Sequence, residues 1–139
     1  MTSQNIVQLK KFGAGDRVHV QAQQVWIALI SLVMMNRTIP SKSVSISYGE
    51  LAQLMGRDPR AGRTLNHALG IVGWYCAHNK IPTLNSIVVN QETGVPGDHV
   101  VTRKGKSYRD EQKAVTKFDW FSIRVPTTGA FRKVWEELM

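Results

Sequence analysis

Residues 46–70, ISYGELAQLMGRDPRAGRTLNHALG, constrain this chain more than any other stretch, because they punctuate two helices and the turn between them. Ser47 is placed to cap the first helix and Glu50, three residues on, to reach back to the cap. Ile46 and Leu51 can clamp the helix start as a hydrophobic staple. Gly56 follows the first helix at the position that favours φ > 0. Asp58 then caps the second helix, with Pro59 in its first position, where a missing N–H is harmless and the fixed φ helps.

Such a pair builds either a helix-turn-helix or an ordinary helical hairpin. In the second helix Ala61, Leu65, Ala68, Leu69, Val72 and Cys76 recur at spacings of three and four, an apolar stripe for the core. Arg60, Arg63, His67 and Gly70 fall on another side, and Arg57 lies in the turn. Cations at a helix N-terminus oppose the macrodipole, so helix stability did not place these arginines there. A phosphate or a base edge would, because recognition helices present their N-terminal residues to DNA. A solvated basic face is the competing reading.

The run Ser47-Tyr48, Leu51-Ala52, Leu54, Gly56, Pro59, Ala61, Arg63 and Ala68 resembles the S-Y-x-x-L-A-x-L-x-G-x-P-x-A-x-R-x-x-x-x-A pattern of O6-alkylguanine-DNA alkyltransferases and alkyltransferase-like proteins, with one extra residue in the inter-helix turn. Ile81-Pro82, Val88-Val89 and Gly94 resemble the region around that family's I-P-C-H-R-V-V and the glycine-bearing loop beyond it, again with an insertion. The resemblance covers about half the chain at most. It implies a winged-helix DNA-binding surface, with Tyr48 against the target nucleotide's phosphate and Arg63 as the finger that fills the stack when a base is flipped. Thr83 stands where the reactive cysteine would be and Leu84-Asn85 replace the His-Arg pair, so alkyl transfer is not expected. Thr83 and Asn85 would line whatever pocket survives.

With 139 residues, 42% of them hydrophobic, the chain is long enough for one domain with a real core. Its net charge of +8 points to a polyanion: DNA first, RNA second, an anionic membrane surface last. The single cysteine, Cys76, rules out an intramolecular disulfide and a cysteine-based zinc site. The N-terminus lacks a basic and apolar leader pattern, so a cytoplasmic location is expected.

In chain order, residues 1–16 read as a flexible basic arm carrying Lys10 and Lys11, and residues 17–139 as one winged-helix-like domain. Residues 18–36 predict an apolar core helix whose ten-residue, almost unbroken apolar run is too short for a bilayer, which needs about 20. Residues 37–45 form a loop or short strand. The second helix of the motif runs on to about Lys80, with a kink possible at Gly70 or Gly73. Residues 84–89 read as a strand and 99–102 as its return, a β-hairpin wing around a turn-rich loop in which Gly94 and Gly97 need φ > 0 or close approach. Arg103, Lys104 and Lys106 around Gly105 read as a phosphate-contacting turn. Ser107 with Asp110 caps a helix to about Lys117, residues 118–125 alternate as a strand, and Thr127 or Thr128 caps a last helix with Phe131, Val134, Trp135 and Leu138 inward.

The fold class expected is therefore α+β and mainly helical: a winged helix-turn-helix with added N- and C-terminal helices. The function expected is non-enzymatic binding of duplex DNA, with Tyr48, Arg57, Arg60, Arg63, His67, Thr83, Asn85, Arg103, Lys104 and Lys106 at the interface and no cofactor, metal or membrane. The competing classes are a small nuclease or toxin-like enzyme using Glu92, Asp98 and His99, and a protein-interaction module on the same scaffold.

Overall fold

The computed structural model describes residues 6–37 and 43–139. Among the described residues, five α-helices and one two-stranded parallel sheet make up the regular structure, with short 3₁₀ segments between them. The elements are α1 (Val18–Asn36), β1 (Ile46–Ser47), α2 (Tyr48–Leu54), a 3₁₀ helix at Pro59–Leu65 that runs directly into α3 (Asn66–His78), a second 3₁₀ helix at Leu84–Ile87, β2 (Val88–Val89), α4 (Tyr108–Lys117), a 3₁₀ turn at Trp120–Ser122, and α5 (Thr128–Leu138).

The apolar sequence of α1 makes it the centre of the core, packed against α3 and α5. Ala22, Val25, Trp26, Leu29, Ile30 and Val33 are buried along it. The Trp26 indole stands edge-on to Tyr75 at 5.5 Å and Trp120 at 5.6 Å and is tilted against Phe131 at 6.0 Å. Each such pair contributes about 0.5–1.5 kcal/mol beyond its buried area. The helix is nineteen residues long with a mean hydropathy of 1.4, so by length and composition alone it could cross a membrane.

The local signals of the helix pair translate directly into structure. Ser47 Oγ accepts from the Glu50 N–H at 3.1 Å and Glu50 Oε1 from the Ser47 N–H at 3.0 Å, completing the capping box. Gly56 has φ +81°. Asp58 caps the second helix, but its first turns are wound as 3₁₀ rather than α. The tighter winding suits the crossing: a Cβ on Gly62 would lie 2.7 Å from the carbonyl of Tyr48, so backbone meets backbone there. No break falls at Gly70 or Gly73, which instead make room for Met139 and for the Asn85 amide. The loop expected over residues 37–45 lies largely outside the described residues, as do residues 1–5 of the arm; residues 6–15 are exposed.

Three expectations fail. The predicted hairpin does not form: residues 84–87 wind into a 3₁₀ helix, Val88–Val89 pairs in parallel with Ile46–Ser47, and residues 99–102 join no strand. The physical reason is that Leu84 and Ile87 enter the core while Asn85 takes the place of a partner strand: with its amide assigned the orientation that satisfies both groups, it accepts from the Val101 N–H at 2.9 Å and donates to its carbonyl at 3.2 Å. Residues 118–125 are likewise not a strand. Trp120 turns inward, its indole N–H bonded to the Val115 carbonyl at 2.8 Å, and the 3₁₀ turn this requires leaves Phe121 and Val125 exposed. In α5, Phe131 and Val134 are buried and Leu138 half-buried, but Trp135 is 36% exposed, one turn-edge away from the core stripe.

Candidate nucleic-acid interface

Glycines set the geometry of the site. Gly49 and Gly62 allow the start of α2 to press on the 3₁₀ start of the second helix, which brings Tyr48 beside Arg60 and Arg63. The facing wall is the loop after β2. It closes on itself through Asn90 N–H to Val95 carbonyl and Gly94 N–H to Asn90 carbonyl, both at 2.8 Å, with Gly94 at φ +71°. The Tyr48 hydroxyl accepts from the Gly97 N–H at 3.0 Å, and a Cβ on Gly97 would lie 2.9 Å from that hydroxyl. The two glycines thus meet the two needs read from the sequence, one conformational and one of close approach. Between the walls lies an open cleft of about 570 Å³, lined by Tyr48, Arg60, Arg63 and residues 90–93. A further recess of about 240 Å³ adds Asn66 and Asp98.

Of the interface residues expected from the sequence, Tyr48, Arg60 and Arg63 come together here. Arg60 is held by Asp58: Oδ1 accepts from the Arg60 N–H at 2.8 Å and from Nε at 3.1 Å, and Oδ2 from Nη2 at 2.9 Å. The Arg60 guanidinium and N–H hold the Asp58 carboxyl below its ordinary value. Arg63 is exposed and pairs with no side chain among the described residues. His67, one turn further along the helix, is exposed with its ring edge-on to Trp135 at 5.4 Å. Lys104 and Lys106 are exposed on a turn that Gly105 permits with φ +79°.

Four expected residues are placed otherwise. Arg57 points back at α1, with Nη1 3.4 Å from Gln21 Oε1, because the turn folds under the first helix. Thr83 is fully buried between Ser86 Oγ and Glu111 Oε2, both at 2.8 Å, and cannot face a ligand. Asn85 is spent on Val101 and reaches only the floor of a cavity of about 70 Å³ beside the cleft. Arg103 forms a bidentate pair with Glu111, at 2.7 Å from Nη2 and 2.9 Å from Nε to Oε1, and its own N–H donates to Oε2 at 2.9 Å. Desolvation pushes the Glu111 carboxyl up, but the Arg103 guanidinium and N–H, with the Thr83 hydroxyl, outweigh it and hold the group below its ordinary value. These are struts behind the site, not its surface.

Sequence reasoning missed Asn66 and Asn90, and weighed Asp98 only for the competing enzyme reading, not as a neighbour of Arg63. Asn66 was legible in principle, three residues from Arg63 on one helix face. Asn90 and Asp98 were not, since the loop that carries them is placed by the distant Tyr48 hydroxyl. Asp98 and His99 border the small cavity and Glu92 the outer cleft, on separate stretches of the loop. Among the described residues no group of three or more His, Cys, Asp or Glu side chains gathers as metal ligands would. Burial pushes the Cys76 thiol up to about 12, so it is a neutral core group at physiological pH.

No family model, curated protein or solved structure matches this chain.

Proposed function

We propose that this protein binds duplex DNA without chemistry, using the α2 and α3 pair as a helix-turn-helix and residues 90–106 in the position of a wing. The observation that carries this reading is the exposed Arg63, unpaired among the described residues, on the rim of an open cleft beside Tyr48 and Arg60. A cation there gains nothing from the helix dipole, whereas a phosphate or base edge would satisfy it. The net charge of +8 supplies the long-range attraction. Arg60 would leave Asp58 for a phosphate, Lys104 and Lys106 would meet the backbone further along, and His67 would flank the helix.

Arg63 is the side chain assigned to enter or read the duplex, with Tyr48 pressing the adjoining backbone. A guanidinium can stack and hydrogen-bond at once, and an ammonium cannot. Fluorescence-anisotropy titrations of a short duplex test this. The slope of log K against log salt should be about −0.9 per phosphate neutralised. Arg63→Lys should lose much of the affinity at constant charge, and Arg60→Ala should weaken all duplexes about equally. Salt-independent binding, or full affinity in Arg63→Lys, overturns the assignment, and tighter binding of duplex RNA redirects it.

A further inference from the structure

The chain has four tryptophans, and they divide sharply. Trp26 and Trp120 are 1% exposed, while Trp74 and Trp135 are 42% and 36% exposed. The two exposed indoles lie on adjoining surfaces. Trp135 on α5 meets His67 on α3, and the Met139 methyl fills the space over Gly70, where a Cβ would approach it to 2.8 Å. His67, Trp74 and His78, at spacings of seven and four, share one side of α3, and each is exposed. The surface is bounded by cations, with Arg63 a turn before His67 and Lys80 just past the helix end. On the α5 side the Arg132 guanidinium neutralises Glu136 at 3.1 Å, so no free charge of that pair opposes an anion.

We infer that this surface is a stacking platform for single-stranded DNA leaving the duplex bound at the cleft, an inference that rests on the duplex-binding reading above. Single-strand sites combine a cationic track with aromatic faces on which unpaired bases stack, largely without regard to sequence. From His67 to Trp74 the helix rises about 10 Å at 1.5 Å per residue. That distance matches roughly three nucleotide steps of about 3.4 Å. The strand leaves the duplex where Arg63 reads it, its bases meet the Trp135 and Trp74 indoles, and its phosphates run on towards Lys80. A second protein copy is a poorer occupant, because like cations at both ends of the strip would face one another.

The test compares a blunt duplex, the same duplex with a six-thymidine overhang, and free oligothymidine, reading anisotropy and tryptophan emission together. The overhang should raise affinity by about tenfold or more and quench the emission of the exposed pair, leaving that of Trp26 and Trp120. Trp74→Leu with Trp135→Leu, checked for folding by circular dichroism, should abolish both the gain and the quench. An overhang that adds no affinity overturns the inference, and so does a quench that survives the double substitution. Self-association by sedimentation that the double substitution abolishes also overturns it. Failure of the blunt duplex to bind instead removes the cleft reading, and quenching by free oligothymidine then still decides whether the platform exists.

Discussion

The two walls of the cleft are built by opposite means. The wall that carries Tyr48, Arg60 and Arg63 is set by groups close in sequence: Ser47 with Glu50, Gly56 alone, Asp58 with Arg60. The wall formed by residues 90–103 has no backbone ladder along 97–103. It is pinned by side chains outside the segment, Gly97 by Tyr48, Val101 by Asn85 and, eight residues on, Arg103 by Glu111. A capped helix keeps its shape when distant contacts loosen, because its hydrogen bonds are internal. A pinned segment has no such reserve, so each pin removed should free the stretch around it. The cleft therefore has one wall that local propensity supports and one that the core must hold.

The largest effect should come from the deepest pin. Glu111 is fully buried and accepts from Arg103 and Thr83, so Glu111→Ala strands both partners. Breaking a buried ion pair typically costs about 3–5 kcal/mol, and the lower end applies here because Arg103 is partly exposed. Urea unfolding should show the loss. The Cys76 thiol, fully buried against the Leu84 backbone and pushed up to about 12, should react with an aromatic disulfide reagent faster in the variant. Equal loss of protection in the amides of α2 and of residues 97–103 would erase the contrast between the walls.

The same pin gives the site an acid limit. Because the folded Glu111 carboxyl lies below its ordinary 4.5, its contribution is complete above that value and is lost as pH falls through the folded one. Melting temperatures between pH 6 and pH 3 should therefore fall more steeply in the parent than in Glu111→Gln, which lacks this titration. Parallel curves would show that the acid sensitivity lies elsewhere.

Gly62→Ala attacks the other wall. A Cβ at 2.7 Å from the Tyr48 carbonyl cannot be accommodated by side-chain rotation, since the neighbour is backbone. Overpacking of this kind costs about 1–3 kcal/mol. The helix pair must spread, moving Arg60 and Arg63 relative to Tyr48, so duplex affinity should drop by more than stability alone explains. Unchanged affinity in a well-folded Gly62→Ala protein would mean that the spacing of these three side chains is not what binding reads.

This division also explains what the sequence could disclose. The capping boxes at Ser47 and Ser107, the left-handed Gly56 and the Asp58 cap all depend on residues within a turn of one another, and the structure has each of them. Arg60 and Arg63, exposed on the cleft, came from the same local logic, and the half-buried Tyr48 came from the family resemblance. Thr83 and Asn85 entered through the family resemblance and Arg103 through its charge, and their burial depends on Glu111 and Val101, 28 and 16 residues away in the first two cases. Alternating Phe121, Ile123 and Val125 misled for a related reason: Trp120 outcompetes them for the core by packing on Trp26 and Phe118, a tertiary choice that no period reveals. The mainly helical class was legible, and the replacement of a hairpin by side-chain pins was not.

The smallest expected effect is the most informative, because one atom joins the walls. The Tyr48 hydroxyl, carried by the capped helix, accepts from the Gly97 N–H in the pinned segment. Tyr48→Phe removes that acceptor and keeps the ring. Since Tyr48 is only partly buried, water can reach the freed N–H, and the loss should be about 0.5–1.5 kcal/mol, as for an ordinary hydrogen bond. The local signature should be sharper: the Gly97 amide should exchange much faster while the amides of α2 keep their protection. Such an outcome would show the outer wall swinging on its remaining pins, Asn85 and Glu111, with the inner wall unmoved. Unaltered exchange at Gly97 would instead mean that those two pins fix the loop without help, and that the Tyr48 hydroxyl is free for a ligand.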